Sequence, residues 1–105
     1  MNDKIKEAME MLNGMKSKFF ICNGNGEEPT EKDKGKTLYC IFKMENGENA
    51  LFWGDINFKM HGEETFLLTE CNTNGKGKDA LITIDFQTGN QSARLVNYES
   101  KYLRF

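Results

Sequence analysis

The sequence predicts a single α+β domain over residues 1–105, with an N-terminal amphipathic helix packed on a curved antiparallel meander of about five to six strands. Three observations carry that expectation. Ile5, Ala8, Met9 and Leu12 recur at helical spacing near the start of the chain. From Leu38 onward, apolar and polar side chains alternate in short runs. Turn residues such as Asn46-Gly47 and Thr88-Gly89 separate those runs, and short connections make neighbouring strands antiparallel.

The helix is expected over 3–13, with Asn2 or Asp3 as its cap and Asn13-Gly14 as its stop. A first strand fits 16–22, where Ser17, Phe19 and Ile21 alternate with Lys16, Lys18, Phe20 and Cys22. The competing pattern continues the helix through Met15 to Lys18. Asn23 to Lys36 holds no large apolar residue and reads as one long polar loop, of a length that is often functional, with an incidental surface excursion as the reading given more weight.

Leu38, Cys40, Phe42 and Met44 share a face of the second strand, and Glu45-Asn46-Gly47-Glu48-Asn49 turns the chain back. The third strand has two phases. Leu51 and Trp53 are in step, then Ile56, Phe58 and Met60 follow one residue out of register. A β-bulge at Gly54-Asp55 would return all five to one face and bend the sheet. A turn at 61–64 leads to a fourth strand over 65–71. After a polar loop at 72–78, Ala80, Ile82, Ile84 and Phe86 form one face of the fifth. The sixth occupies 91–98, with a helix from Ser92 as its rival, and the apolar tail 101–105 is expected to dock on the domain.

Composition restricts function more than it assigns it. Fourteen basic and 16 acidic side chains give a formal net charge of −2. The signs balance within 1–36, so no basic tail is set aside for nucleic acid. Cys22, Cys40 and Cys71 are too few and too widely spaced for a disulfide framework. The first ten residues carry acids and lack the apolar core of a secretory signal. A reducing, cytoplasmic setting without membrane attachment follows as the expectation.

Motifs for catalysis are weak. Gly35-Lys36-Thr37 ends like a phosphate-binding loop, but Thr30 stands where that loop needs glycine and a strand follows. His61 falls in a turn beside Gly62, Glu63 and Glu64, with no nucleophile signature around it. The three cysteines and His61 lack the close Cys pairs of a structural zinc site. No catalytic residue, metal ligand or cofactor is therefore assigned, and the chain is expected to be a non-enzyme.

Aromatics are the richer signal. Phe20, Tyr39 and Phe52 fall opposite the main apolar rows, and Trp53 adjoins them. With Asp55 at the suspected bulge, Lys76 and Lys78 in the second polar loop, and Tyr98 and Tyr102 near the end, they form the candidate binding set. The expected partner is a protein, with the chain acting as a small inhibitor or antagonist of a larger intracellular machine. A homodimer contact is a second use of the same aromatics. A sheet binding single-stranded nucleic acid or a small ligand is the alternative, opposed for nucleic acid by the net charge.

Overall fold

A computed structural model describes residues 3–14, 16–54, 56–60, 63–68 and 78–97. The elements in chain order are α1 (Asp3–Asn13), β1 (Phe19–Cys22), a 3-10 turn (Glu31–Asp33), β2 (Leu38–Lys43), β3 (Asn49–Gly54), β4 (Ile56–Met60), β5 (Glu63–Leu68), β6 (Lys78–Ile84) and β7 (Gln91–Asn97). The α+β class and the antiparallel pairing are as expected. The single curved sheet is not. The strands form two meanders, β1-β2-β3 and β4-β5-β6-β7.

The reason lies in Leu51-Phe52-Trp53. An apolar run on successive residues points to both faces of a strand, so both faces need a cover. Register places Cys40 opposite Phe52 and Phe42 opposite Ala50, with Ile21 opposite Cys40. These residues, with Leu38, pack against Phe66, Ala80, Ile82 and Ile84 of the second sheet. The other face of the first sheet offers Cys22, Ile41 and Leu51 to Ile5, Ala8 and Leu12 of α1. The result is three layers: helix, three-stranded sheet and four-stranded sheet.

The two-phase third strand is divided between those sheets. β3 ends at Gly54 and β4 begins at Ile56. The phase change therefore marks the passage from one sheet to the next, not a bulge within one. Phe52 is corrected as well. It lies between the sheets at 0% exposure and offers no binding surface. Its ring meets Phe42 edge-on at 6.0 Å, and Phe42 in turn lies 5.9 Å from Phe19.

Other boundaries shift for local reasons. β1 begins only at Phe19, after the Ser17 hydroxyl donates to the Phe19 carbonyl at 2.7 Å. β6 ends at Ile84, leaving Phe86 in the turn that follows, because Asp85 starts that turn through its side chain. β7 is a strand through Asn97, so the helix from Ser92 does not form. The β2–β3 connection is the expected hairpin: Gly47 adopts φ +86°, Met44 N–H donates to the Glu48 carbonyl at 2.8 Å, and Asn46 Oδ1 accepts from Glu48 N–H. Among the described residues, no helix is long and apolar enough to cross a membrane.

Phe52→Ala should lower unfolding free energy by about 3–5 kcal/mol, the cost of emptying a fully buried aromatic site. Met11→Ala, at a side chain 50% exposed, should stay within about 0.5 kcal/mol. Urea titrations followed by Trp53 fluorescence distinguish the two. Equal losses would mean that the inter-sheet layer is not the main core.

Candidate functional site: an acidic mouth at one end of the two sheets

The long polar loop is knitted by its own side chains. Asn23 Oδ1 accepts from Asn25 N–H at 2.9 Å and Glu27 N–H at 3.1 Å, and Asn23 N–H donates to the Glu27 carbonyl at 2.9 Å. Gly26 closes this turn at φ +77°, where an added Cβ would lie 2.9 Å from the Lys4 carbonyl oxygen. The loop is thus pressed against the first turn of α1. Pro29 is buried and anchors the next stretch. Thr30 then caps the 3-10 turn reciprocally: its hydroxyl accepts from Lys32 N–H at 3.3 Å, while Asp33 Oδ2 accepts from Thr30 N–H at 2.8 Å.

Across from this loop stands the β6–β7 turn. Asp85 Oδ1 accepts from Gln87 N–H at 2.9 Å and Thr88 N–H at 3.3 Å. Those backbone donors, Gln87 first, hold the Asp85 carboxyl below its ordinary range. Gly89 takes φ +79° to complete the turn. Loop and turn meet where Gln91 Nε2 donates to Glu28 Oε1 at 3.4 Å.

Between them opens a mouth of about 660 Å³, with Glu28, Glu31, Asp85, Lys32 and Gln87 on its walls and Ile84 and Phe86 among its lining. Its lining residues carry three carboxylates and the Lys32 ammonium, an acidic excess. Beside it Lys34 Nζ lies 3.0 Å from Glu64 Oε1, 3.8 Å from Glu31 Oε1 and 5.6 Å from the Phe86 ring centre. Glu64 is 8% exposed. Its hydrogen bond raises the Lys34 pKa, so the ammonium stays charged at neutral pH. The pair ties the loop to β5 of the second sheet, and Phe86 gives the ammonium an aromatic neighbour.

The residues anticipated from sequence are dispersed. Phe20, Tyr39 and Trp53 do share a face: Tyr39 pairs with Trp53 and Phe20 with Ile41. That face is the one α1 covers, and all three are half-buried against its cluster. Lys78 is half-buried at the start of β6, in the other sheet. Asp55, Lys76, Tyr98 and Tyr102 lie outside the described residues, as do His61 and Cys71. Sequence reasoning missed Glu28, Glu31, Lys34, Glu64, Asp85 and Phe86. Thr30-x-x-Asp33, a helix-start pattern, was the available sign that the loop is ordered.

Other reactive groups are held out of use. Burial raises the Cys22 thiol to about 12 and raises Cys40 further. Neither is a thiolate at neutral pH, so neither is a nucleophile. Asp79 is 3% exposed, its Oδ2 has no hydrogen-bond partner, and burial raises its pKa. Among the described residues, His, Cys, Asp and Glu side chains converge in no group of three or more suited to a metal.

Three outcomes follow. In a Cys71→Ser background, Ellman's reagent should modify Cys22 and Cys40 only after denaturant is added, read as absorbance against time. Gly26→Ala should cost at least about 1 kcal/mol, since both φ and the Lys4 carbonyl oppose the methyl group. Asp79→Asn should raise the neutral-pH melting temperature. The folded pKa of Asp79 lies above its unfolded value, so wild type loses stability as pH rises through that interval. The gap between variant and wild type should therefore close on acidification.

No protein-family model matches this chain, and the comparisons with curated proteins and with solved structures found no match.

Proposed function

We propose that this chain is a small protein-binding module without catalytic chemistry of its own, which engages a basic segment of a larger partner through the acidic mouth. The observation that carries this reading is the placement of Glu28, Glu31 and Asp85 around one opening, with the backbone that bears them fixed by capping and turn hydrogen bonds. Backbone already fixed in turns need not be ordered on binding. Complementary charge steers encounter and rejects acidic partners. Phe86 beside the carboxylates already carries the Lys34 ammonium over its ring, so the border of the mouth is built to hold a cation. A blocking role on a larger machine suits a chain that presents recognition groups around a filled interior. Free Cys22 and Cys40 suit a reducing compartment such as the cytoplasm.

Phe20, Tyr39 and Trp53 favour the alternative of base stacking, because they lie on one sheet face. α1 crosses that face, which makes it the weaker reading.

The test is a Glu28→Gln, Glu31→Gln, Asp85→Asn variant. The amide introduced in place of the Asp85 carboxylate keeps an oxygen that can accept the turn bonds. The variant's affinity for a protein captured stoichiometrically by wild type should fall at least about tenfold at low salt, with a shallower salt dependence. Equal affinity, or no stoichiometric protein captured by wild type, would refute the reading. Oligonucleotide binding that weakens steeply with salt would favour the alternative.

A further inference from the structure

The two sheets are joined along one side only. β3 and β4 are consecutive across residue 55, which leaves β1 and β7 as the edges away from that junction. β1 has four residues, and the knitted loop departs from its end. β7 has seven residues, Gln91–Asn97, and all are paired with β6. It carries one charge, Arg94, and neither glycine nor proline. Natural sheets usually guard an open edge with short strands, several charges or proline. β7 has none of these.

Which backbone groups are open follows from the turn. Asp85 N–H donates to the Asn90 carbonyl at 2.9 Å. Hydrogen-bonded and non-bonded pairs alternate along an antiparallel ladder. Ser92, Arg94 and Val96 therefore bond to β6, while Gln91, Ala93 and Leu95 direct N–H and C=O outward. Among the described residues, nothing pairs with that outward edge. The side chains of Ala93 and Leu95 are half-buried, packed at the margin of the inter-sheet core. At the Gln91 end the edge runs into the acidic mouth, because Gln91 lines it and bonds Glu28.

We infer that β7 is a strand-addition site, on which an extended segment of a protein partner adds antiparallel as an eighth strand and delivers basic side chains at its C-terminal end into the mouth. This rests on the protein-binding reading above and gives the partner a sequence form. Antiparallel addition sets the incoming C-terminus beside Gln91, where charge complementarity calls for lysine or arginine. Residues level with Ala93 and Leu95 extend the apolar core row and should be apolar. Those level with Ser92 and Arg94 should be polar or acidic. Main-chain bonds supply affinity and the alternating side chains supply specificity.

The experiment is selection of a displayed library of random short peptides on the full chain. Binding of the enriched peptides is then measured to wild type, Ala93→Pro and the mouth variant Glu28→Gln, Glu31→Gln, Asp85→Asn. Ala93→Pro removes one outward donor and no bond to β6. The expected result is alternating peptides ending in lysine or arginine, weakened about tenfold by either variant. Peptides weakened by the mouth variant but indifferent to Ala93→Pro would overturn strand addition and leave the protein-binding reading standing. Enrichment of no peptide would also overturn strand addition, with that reading decided separately by protein capture. A wild-type dimer in sedimentation that Ala93→Pro dissociates would assign the edge to a second copy and overturn this occupant. If Ala93→Pro does not fold, amide exchange at Ala93 and Leu95 decides. Slowing on peptide addition supports the inference, and unchanged exchange overturns it.

Discussion

The layer between the sheets governs the rest of this molecule. Phe52, Phe42, Cys40 and Leu38 from one sheet meet Phe66, Ala80, Ile82 and Ile84 from the other. β3 and β4 are separated by a single residue and belong to different sheets. With so short a connection, the sheets remain adjacent along that side and close on each other through shared apolar burial. Among the described residues, no strand pairing joins the sheets on the opposite side. The mouth, the lysine clasp and the unpaired β7 edge all lie at the ends or margin of that closure.

Legibility of the fold from sequence follows burial geometry. α1 is readable because one apolar stripe faces one partner, and its observed span, Asp3–Asn13, matches the periodicity. The β2–β3 turn is readable because Asn46-Gly47 needs no tertiary partner. β3 misleads because Leu51, Phe52 and Trp53 are all apolar, so parity alone cannot say which side is core. Phe52 falls to the inter-sheet side and Trp53 to the helix side. The phase shift at Gly54-Asp55 is a real signal with two physical solutions, a bulge or a change of sheet, and only tertiary packing selects between them.

The site is less legible than the fold. Its order depends on polar side chains bonding their own backbone, as in Asn23 to Glu27 and Thr30 to Asp33, and hydropathy does not register such bonds. Its electrostatics depend on Lys34 meeting Glu64, thirty residues later in the chain. Neither residue has a distinctive neighbourhood in sequence. The aromatics that stand out in the sequence are mostly packing material. Phe86 takes part in the site because a turn displaces it from the strand its alternation suggests.

The β2–β3 hairpin turn stands at the opposite end of the first sheet from the loop that walls the mouth. Its glycine, Gly47, has open space around it, with no atom within 4 Å of a would-be Cβ. Glu45 to Glu48 are exposed. Such a tip tolerates grafted sequence well. A fluorescent handle or an affinity epitope spliced there would leave the recognition end unencumbered, whereas the same graft in the Asn23–Glu27 turn would collide with the start of α1.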